Sequence, residues 1–234
     1  MKVDLAKKFP GELFNIIKLI GKTADKEDIS VYLVGGPVRD ILLNVPDYDL
    51  DFVVEGDGIR FAEVLNETMK GELKKHRAFK TATLCYKDIR IDVVTARSES
   101  YKVPAAYPDV KPGKIKEDLF RRDFTINAMA MSVNKKNFGE LVDFYNGFKD
   151  LKKRLIRVMH DKSFIDDPTR IFRAVRFSVR LNFRIEPRTR HLIKKAILNG
   201  LLGEVNRGRI KKEIEAFLKE KEPLKCLETF SSLI

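Results

Sequence analysis

The stretch from Val31 to Gly56 constrains the fold of this 234-residue chain more than any other part of the sequence. An apolar run ends in Gly35 and Gly36, a short amphipathic segment follows, and a second strand-like run then carries Asp49 and Asp51. This order predicts a strand, a glycine turn, a helix and a second strand. Because side chains on a strand alternate between faces, the two aspartates are expected to share one face. The opposite face is predicted to carry Tyr48, Leu50, Phe52 and Val54.

Two carboxylates held side by side are suitable ligands for Mg²⁺, which binds one or two protein carboxylates together with water and substrate phosphates. The glycines allow a close approach of the backbone, and the N-terminus of the following helix offers N–H groups to phosphate. Each feature alone has a simpler explanation, since a Gly-Gly pair is usually a tight turn and a single Asp-x-Asp is usually a solvated strand edge. Within one strand–turn–helix–strand unit, they predict a metal-dependent site for a nucleoside triphosphate.

The charge of the chain favours a polyanionic partner. The sequence has 46 Lys+Arg against 34 Asp+Glu, which gives a net charge of +12. An excess of one sign on this scale is typical of proteins that bind nucleic acid. The alternative interpretation is a thermophilic surface rich in lysine and glutamate.

The cysteines, the histidines and the N-terminus together indicate a cytoplasmic protein without a zinc site. Cys85 and Cys226 are far apart in apolar surroundings, so buried free thiols are expected rather than a disulfide. The three histidines lack the spacing of metal ligands. The N-terminus has no apolar signal core, and no run approaches the ~20 apolar residues that a membrane span needs.

Local patterns predict further elements on both sides of the central unit. An amphipathic helix is expected over residues 12–22, because its apolar side chains recur at helical spacing. Asp57 is suited to cap the helix that follows it. The runs Thr81–Tyr86 and Ile89–Val94 predict an antiparallel hairpin.

Asp92 lies on the second strand of this hairpin and shares a face with Arg90. One interpretation makes it a third carboxylate beside Asp49 and Asp51, able to share a metal or to accept the proton of an attacking hydroxyl. The other makes it a surface residue paired with Arg90. The pattern alone does not decide between the two.

Residues 97–117 contain three prolines and a glycine with little periodicity, and they are expected to form a long loop. The run RRDFTINAMAMSV follows, from Arg121 to Val133, and predicts a short turn capped by Asp123 and then a strand. Here Arg122 can bind a triphosphate, and Asp123 and Asn127 can hydrogen-bond a ribose. The alternative is that the two arginines form surface ion pairs only.

The pattern changes after the turn residues from Asp143 to Gly147. Beyond about Leu155, strand patterns give way to helical periodicity. The sequence therefore predicts one domain over residues 1–154 and a helical domain over 155–234. Helices are expected at 187–199 and 206–221. Their inward-facing residues are predicted to be Ile193, Ala196, Ile197, Ile210, Ile214, Phe217 and Leu218.

The segment FIDDPTRIFRAVRFSVRLNF predicts a helix that begins at its proline, with Asp166 or Asp167 as the cap. Arg170, Arg173 and Arg176 recur every third residue along one face of this helix. One interpretation is an arginine stripe that faces solvent or RNA phosphates. Beside a triphosphate site, a guanidinium and a carboxylate at fixed separation can instead pair with the Watson–Crick edge of a base.

The segments GGPVRD and DYDLD, followed by RRDFTINAMAMSV, DDPTR and RGRIKKEI, resemble the ordered motifs of a known family. The family is that of the class II tRNA nucleotidyltransferases, the CCA-adding enzymes, with the related bacterial poly(A) polymerases. The resemblance covers roughly Val31 to Leu218. It implies an α/β head of the nucleotidyltransferase (DNA polymerase β-like) type with a mixed sheet, followed by an all-α neck. It also implies that the body and tail, with which family members grip tRNA, are absent from this sequence.

The resemblance implies a role for each motif residue. Mg²⁺ would be held by Asp49 and Asp51, with Asp92 as the acidic residue of the neighbouring strand. The base would be read by Asp167 and Arg170. The other implied nucleotide contacts are Gly35, Gly36, Arg39, Arg122, Asp123, Asn127, Arg173 and Arg176.

The implied reaction is addition of C and/or A to the 3′ end of tRNA, at the acceptor stem, without a nucleic-acid template. The RNA 3′-hydroxyl would attack the α-phosphate of CTP or ATP, and pyrophosphate would leave. Residues 97–117 correspond to the loop that switches nucleotide choice in the family. Poly(A) synthesis, CC-only addition and A-only addition stay open, and so does the oligomeric state. A non-catalytic RNA-binding module would share the basic charge but would not need the carboxylate pair.

Overall fold

The computed structural model describes residues 1–45 and 49–234 and divides into two compact units, each built from separate segments of the chain. The sheet unit comprises Met1–Ser98, Lys111–Arg121 and Asn127–Tyr145. The helical unit comprises Glu99–Val110, Arg122–Ile126 and Asn146–Ile234. The domain limits 1–154 and 155–234 stay a prediction, and Tyr48 lies outside the described residues.

Helices and strands alternate in the first two thirds of the chain, and helices dominate the remainder. The strands are β1 (Ser30–Val34), β2 (Leu50–Glu55), β3 (Glu72–His76), β4 (Thr81–Tyr86), β5 (Ile89–Thr95), β6 (Arg97–Ser100), β7 (Asp109–Pro112), β8 (Ala130–Ser132), β9 (Leu141–Val142), β10 (Leu155–Ile156) and β11 (Arg184–Ile185). The helices are α1 (Gly11–Lys26), α2 (Gly36–Leu43), α3 (Gly58–Met69), α4 (Ile115–Phe120), α5 (Gly147–Lys152), α6 (Ser163–Asp166), α7 (Arg170–Leu181), α8 (Pro187–Leu198), α9 (Arg207–Leu218) and α10 (Pro223–Ser231).

The sheet unit is organised around a sheet with the strand order β3-β4-β5-β2-β1-β8-β9. The neighbours β2 and β5 run parallel, whereas β1 pairs antiparallel with both β2 and β8. The β4–β5 hairpin is antiparallel, as predicted. The mixed sheet that the sequence predicts is therefore confirmed.

Local sequence signals explain the elements beside this sheet. The apolar stripe of α1 is buried, with Ile17 and Ile20 fully inaccessible. Asp57 caps α3, since its carboxylate accepts hydrogen bonds from the backbone N–H groups of Ile59 and Arg60. Both predictions are confirmed.

The two faces of the sheet differ in character. One face packs on α1 and α3 and buries apolar side chains in register across strands, such as Phe52 opposite Val93 and Leu84 opposite Ile91. The opposite face carries polar side chains towards the β3 edge, including the exposed Arg90. Alternation of side chains along each strand produces this division.

The helical unit buries the apolar side of α7. Phe172 stacks on Phe230 of α10, with ring centroids 5.1 Å apart, and contacts Phe217 of α9 edge to face. A two-residue parallel pairing of β10 with β11 adds a small sheet that the sequence does not reveal. Strands of two residues are too short to show a period in the sequence.

Three sequence expectations about burial and structure are wrong. The region 97–117 is not a continuous loop, because β6 and β7 pair with each other; β7 is exposed throughout, so it carries no apolar alternation. Cys85 is exposed, because it alternates with the buried Leu84 on β4. Ile214 and Leu218, which the sequence predicts to face inward, are 43% and 62% exposed, and among the described residues of α9 Phe217 is the one that is buried.

The helix α7 also begins later than expected. Its first residue is Arg170, with Thr169 as the N-cap residue, and the preceding proline belongs to the turn that joins α6 to α7. Among the helices of the described residues, none is both long enough and apolar enough to cross a lipid bilayer.

Candidate active site

The glycine turn at the end of β1 leads directly into α2. Gly35 has φ +73°, a left-handed conformation that favours glycine, and its N–H donates to the carbonyl oxygen of Met129 at 3.3 Å. Helix α2 begins at Gly36, where an added Cβ would have its nearest neighbour at 3.8 Å, the side chain of Arg39. The backbone at Gly36 is therefore sterically open, as a phosphate-binding helix N-terminus requires, whereas Pro37 and Val38 of the same turn are buried.

Arg39 is buried and holds this helix in place. Its Nε and Nη2 donate to the carboxylate of Asp40 at 2.8 and 2.7 Å, and its Nη1 donates to Oδ1 of Asn127 at 2.7 Å. Asp40 is a further residue of this site, and its signal in the sequence is a charged side chain within a largely apolar helix. The contacts of Arg39 with a triphosphate and of Asn127 with a ribose stay predictions.

Asp49 and Asp51, the carboxylates predicted to bind metal, lie at the end of the sheet where the glycine turn follows β1. Asp49 is exposed and directly precedes β2, whereas Asp51 is half-buried on the strand itself. In the parallel register, Asp51 is the direct partner of Asp92 on β5. Neighbouring strands lie ~4.8 Å apart, so these two side chains are adjacent on one face.

Asp92 also makes the contacts of the alternative interpretation. Arg90 donates from Nε to Oδ2 at 2.8 Å, and the hydroxyl of Thr83 donates to Oδ1 at 2.6 Å. This carboxylate, with that of Asp51 nearby, raises the pKa of Arg90. Both interpretations of Asp92 are thus compatible with the structure, and Thr83 is a contact that the sequence did not indicate.

The donor set fits a magnesium ion bound partly by substrate. Within the described part of the chain, no group of three or more His, Cys, Asp or Glu side chains is arranged to hold a metal. Asp49 and Asp51 supply two carboxylates beside the glycine turn. That is the number Mg²⁺ commonly takes from protein when phosphate oxygens complete its shell.

If Asp92 is the third carboxylate of the site, Thr83→Val should lower kcat about tenfold for the nucleotide transfer that the motif resemblance implies, with KM for the nucleotide within twofold. Valine has the shape of threonine but cannot donate to Asp92, and a hydrogen bond to a charged group is worth about 1.5–3 kcal/mol. Thr81→Val on the same strand and face is the control, and steady-state kinetics are the measurement. A wild-type kcat in Thr83→Val would favour the surface interpretation of Asp92.

A second cluster lies in the helical unit, around the start of α7. Asp123 accepts from Nε and Nη2 of Arg173 at 2.9 and 2.6 Å, and from the N–H of Phe124 at 2.8 Å. The carboxylate of Asp123 is the main cause that raises the pKa of Arg173. The half-buried Arg122 is adjacent in sequence. Two residues predicted to contact the nucleotide, Asp123 and Arg173, therefore also pair with each other.

Asp167 and Arg170, the predicted base readers, lie in one turn. The backbone N–H of Arg170 donates to the carbonyl oxygen of Asp167 at 3.1 Å, and the side chain of Arg170 is buried, so it does not belong to a solvent-facing stripe. Within the described residues, all hydrogen bonds to the Asp167 carboxylate end on Oδ1, with donors from Thr169 and from Nη2 of Arg209. This arrangement directs the carboxylate and leaves Oδ2 for other donors.

Two further residues of this cluster escaped the sequence analysis. Arg209 donates to Asp167 at 2.7 Å and to the carbonyl oxygen of Ala105 at 3.0 Å, so it links α9 to the segment between β6 and β7. Tyr101 donates to Glu99 at 3.1 Å, and burial raises the pKa of Tyr101 to about 12. The sequence indicates the motif that contains Arg209 but not its contact with Asp167, which joins residues far apart in the chain.

Arg176 is held by glutamates. Its guanidinium is 3.6 Å from Glu213 and 3.9 Å from Glu220. Among the described residues, Nε of Arg176 and Oε2 of Glu213 are buried without a hydrogen-bond partner. Arg176 is thus a packing residue of α7, and its predicted contact with the nucleotide stays a prediction.

Glu213 should make stability depend on pH. Burial raises the pKa of its carboxyl above the ordinary 4.5, against the opposing charges of Arg173 and Arg176. A raised pKa in the folded state contributes stability that is complete below the unfolded pKa and is lost as pH rises through the folded pKa. We therefore expect the unfolding midpoint of wild type, relative to Glu213→Gln, to fall as pH rises from about 4 towards neutral.

Thermal unfolding across this pH range is the measurement, with Glu215→Gln as the control. Glu215 is an exposed neighbour on α9 that pairs with Lys211 at 3.9 Å. Its substitution should leave the pH profile unchanged. A constant difference between wild type and Glu213→Gln at all pH values would contradict the expectation.

The chain is similar to known proteins over most of its length. The family model described as the poly A polymerase head domain matches residues 31–157. Among curated proteins, the chain is 42% identical over 219 residues to an A-adding tRNA nucleotidyltransferase of Geobacter sulfurreducens, covering 93% of the chain and 25% of that protein. It is 48% identical over 202 residues to an A-adding tRNA nucleotidyltransferase of Aquifex aeolicus, covering 86% and 24%. The chain therefore spans about a quarter of the length of these relatives.

A solved structure of a CCA-adding enzyme, in its apo form II, has the same fold. It superposes with a TM-score of 0.95 at 45% identity, over 98% of this chain and 54% of that one. The predicted nucleotidyltransferase head, with its mixed sheet and the helices that follow, is thereby confirmed. The roles of the individual site residues stay predictions, because a shared fold does not test them.

Proposed function

The chain belongs to the poly A polymerase head domain family, and on that premise we propose that it adds nucleotides to the 3′ end of tRNA without a nucleic-acid template. The names of the two curated relatives favour A addition from ATP over C addition from CTP. We also propose a cytoplasmic location for this activity.

One observation carries the proposal. Asp51 of β2 lies directly beside Asp92 of β5, at the sheet end where Gly35 turns β1 into α2. Asp51 therefore has a third carboxylate on one side and an open helix N-terminus on the other. A binding module would not need this arrangement, whereas phosphoryl transfer depends on positioned charge around the reacting phosphate.

In this proposal, different residues of the sheet unit bind the triphosphate, hold the metal and accept the proton. The triphosphate would lie against Gly36 and the first turn of α2, with the α-phosphate towards Asp49 and Asp51. The RNA 3′-hydroxyl would attack the α-phosphorus, and the bond to pyrophosphate would break. Asp92, beside Asp51, would accept the proton of the attacking hydroxyl or share the metal. When bound by Asp49 and Asp51, Mg²⁺ would neutralise the charge that develops on the phosphate oxygens.

The residues of the helical unit suit the choice of base. A carboxylate accepts a hydrogen bond and a guanidinium only donates. Adenine and cytosine each present an exocyclic amino donor beside a ring-nitrogen acceptor, whereas guanine and uracil reverse that order. Asp167 with Arg170 therefore favours ATP and CTP over GTP and UTP, and the pair by itself does not separate ATP from CTP.

The test is to incubate the chain with Mg²⁺ and each labelled nucleotide on three tRNAs. One lacks the terminal CCA, one ends in the two cytidines, and one is complete. Single A addition to the tRNA that ends in CC is the expected result. C addition to the shortest tRNA would indicate CC or CCA synthesis, and long A tails on any RNA would indicate a poly(A) polymerase. Absence of product with all three tRNAs would contradict the proposal.

A further inference from the structure

The β3 edge of the sheet carries a basic and aromatic segment that the proposed chemistry does not use. Residues 74–80 read KKHRAFK and contain four lysine or arginine side chains, all exposed. Phe79, at the tip of the turn between β3 and β4, is 70% exposed. A large aromatic ring among cations on a surface is the arrangement with which proteins bind single-stranded nucleic acid.

The register of the sheet places this edge in line with the catalytic carboxylates. Lys74 of β3 pairs with Thr83 of β4, Thr83 with Asp92 of β5, and Asp92 with Asp51 of β2. These four side chains therefore form one row across four strands on the same face. Neighbouring strands are ~4.8 Å apart, so Lys74 lies two strands, about 10 Å, from Asp92.

The turn that presents Phe79 is fixed to the sheet. A short 3-10 turn spans Arg77–Phe79, and Lys80 follows in a left-handed conformation with φ +51°. The carbonyl oxygen of Lys80 accepts from the N–H of Thr95 at 3.2 Å, which ties the turn to the end of β5. His76 lies on the same face as Lys74, by alternation along β3.

The direction of in-line attack indicates that this surface binds the attacking RNA. The attacking and leaving oxygens lie roughly in line in phosphoryl transfer. The glycine turn that would hold the triphosphate belongs to β1, on one side of β2, whereas β5, β4 and β3 follow in order on the other side. The leaving pyrophosphate therefore points towards β1, and the attacking RNA must come from the β3 side.

We propose that Lys74, His76, Arg77 and Phe79 form a primer track that binds the single-stranded 3′ nucleotides of the RNA and directs the terminal hydroxyl towards Asp92 and Asp51. This inference rests on the proposed function. Lys74 and Arg77 contact backbone phosphates, and Phe79 stacks on one unpaired base. The track reads no sequence, because neither phosphate contact nor stacking distinguishes bases.

Three substitutions test the track in steady-state kinetics. Lys74→Ala and Phe79→Ala should each raise KM for the RNA about tenfold, with KM for ATP within twofold and kcat little changed. Phe79→Tyr should keep the wild-type KM for the RNA, in contrast to Phe79→Ala, because tyrosine keeps the aromatic face on which a base stacks. Lys75→Ala is the matched control, since Lys75 points to the opposite face and pairs with Glu63 of α3 at 2.7 Å.

Salt dependence separates the two kinds of contact. Loss of one phosphate contact should reduce the slope of log affinity against log salt by ~0.7 in Lys74→Ala, the value for single strands. Phe79→Ala should weaken binding with the slope unchanged. Equal RNA KM values in Lys74→Ala, Phe79→Ala and wild type, with normal nucleotide incorporation, would overturn the track and leave the proposed function standing.

Cys85 provides a readout that does not require activity. It is exposed on the face of the track, opposite Arg90 and Glu72, while Cys226, the other cysteine, is fully buried. RNA should slow alkylation of Cys85 in wild type and in Lys75→Ala, and much less in Lys74→Ala and Phe79→Ala. If the chain incorporates no nucleotide, the proposed function fails and this pattern still supports the track. An alkylation rate that RNA does not change would overturn it.

Discussion

Asp51→Asn should reduce nucleotide incorporation about a thousandfold or more while the protein stays folded. Asparagine keeps the shape of the side chain but removes the charge that would hold Mg²⁺, and a bound metal ion contributes several kcal/mol to the transition state of such a reaction. The fold should tolerate the change, because Asp51 is half-buried beside Asp92 and the substitution removes a repulsion between like charges. Asp49→Asn should behave in the same way.

The measurement is single-turnover incorporation of labelled ATP at saturating Mg²⁺, with the unfolding midpoint recorded for each variant. Asp88→Asn is the matched control, because Asp88 lies in the turn of the β4–β5 hairpin and away from the carboxylate row. It should keep the wild-type rate. Substantial activity in Asp51→Asn would remove the metal-binding role from this strand.

Asp167→Ala should erode the choice among nucleotides more than it lowers the best rate. Phosphates and ribose are assigned to other residues, so the loss falls on the pairing with the base. An unmatched buried polar group costs about 1–3 kcal/mol, or one to two powers of ten in selectivity. The ratios of kcat/KM for ATP, CTP, GTP and UTP on one RNA are the measurement.

Arg209→Ala sharpens this experiment. Arg209 orients Asp167 through a bond of 2.7 Å and does not belong to the predicted reading pair. Its loss should reduce the same selectivity, by a smaller factor. Asp161→Ala is the control, since Asp161 is an exposed aspartate of the helical unit that pairs with Arg188. Equal losses for all four nucleotides in Asp167→Ala would instead indicate contact with RNA phosphate.

Residues close together in the sequence determined several helices, strands and turns of this protein. The glycine turn, the cap of α3 and the β4–β5 hairpin depend on residues close together in the chain, and all three are present. The apolar stripe of α1 is likewise buried as its spacing predicts. Such features are readable because periodicity and capping act within one or two turns of a helix or along one strand.

The resemblance between motifs carried the prediction further than periodicity could. It indicated the mixed sheet and the family, and it assigned roles to residues such as Asp92 and Asp167. Those roles stay predictions, because comparison of whole chains shows a shared fold without testing the chemistry of individual side chains.

Only the tertiary structure decided which distant side chains meet. Asp51 and Asp92 become neighbours through the parallel register of β2 and β5, and Lys74 joins their row through two further pairings. A shift of one residue in any pairing would turn a strand's side chains to the other face, and no local signal sets that register. Likewise, the contact of Arg209 with Asp167 joins residues far apart in the chain. Ile214 is exposed because an apolar position on a helix is buried only where another element packs against it.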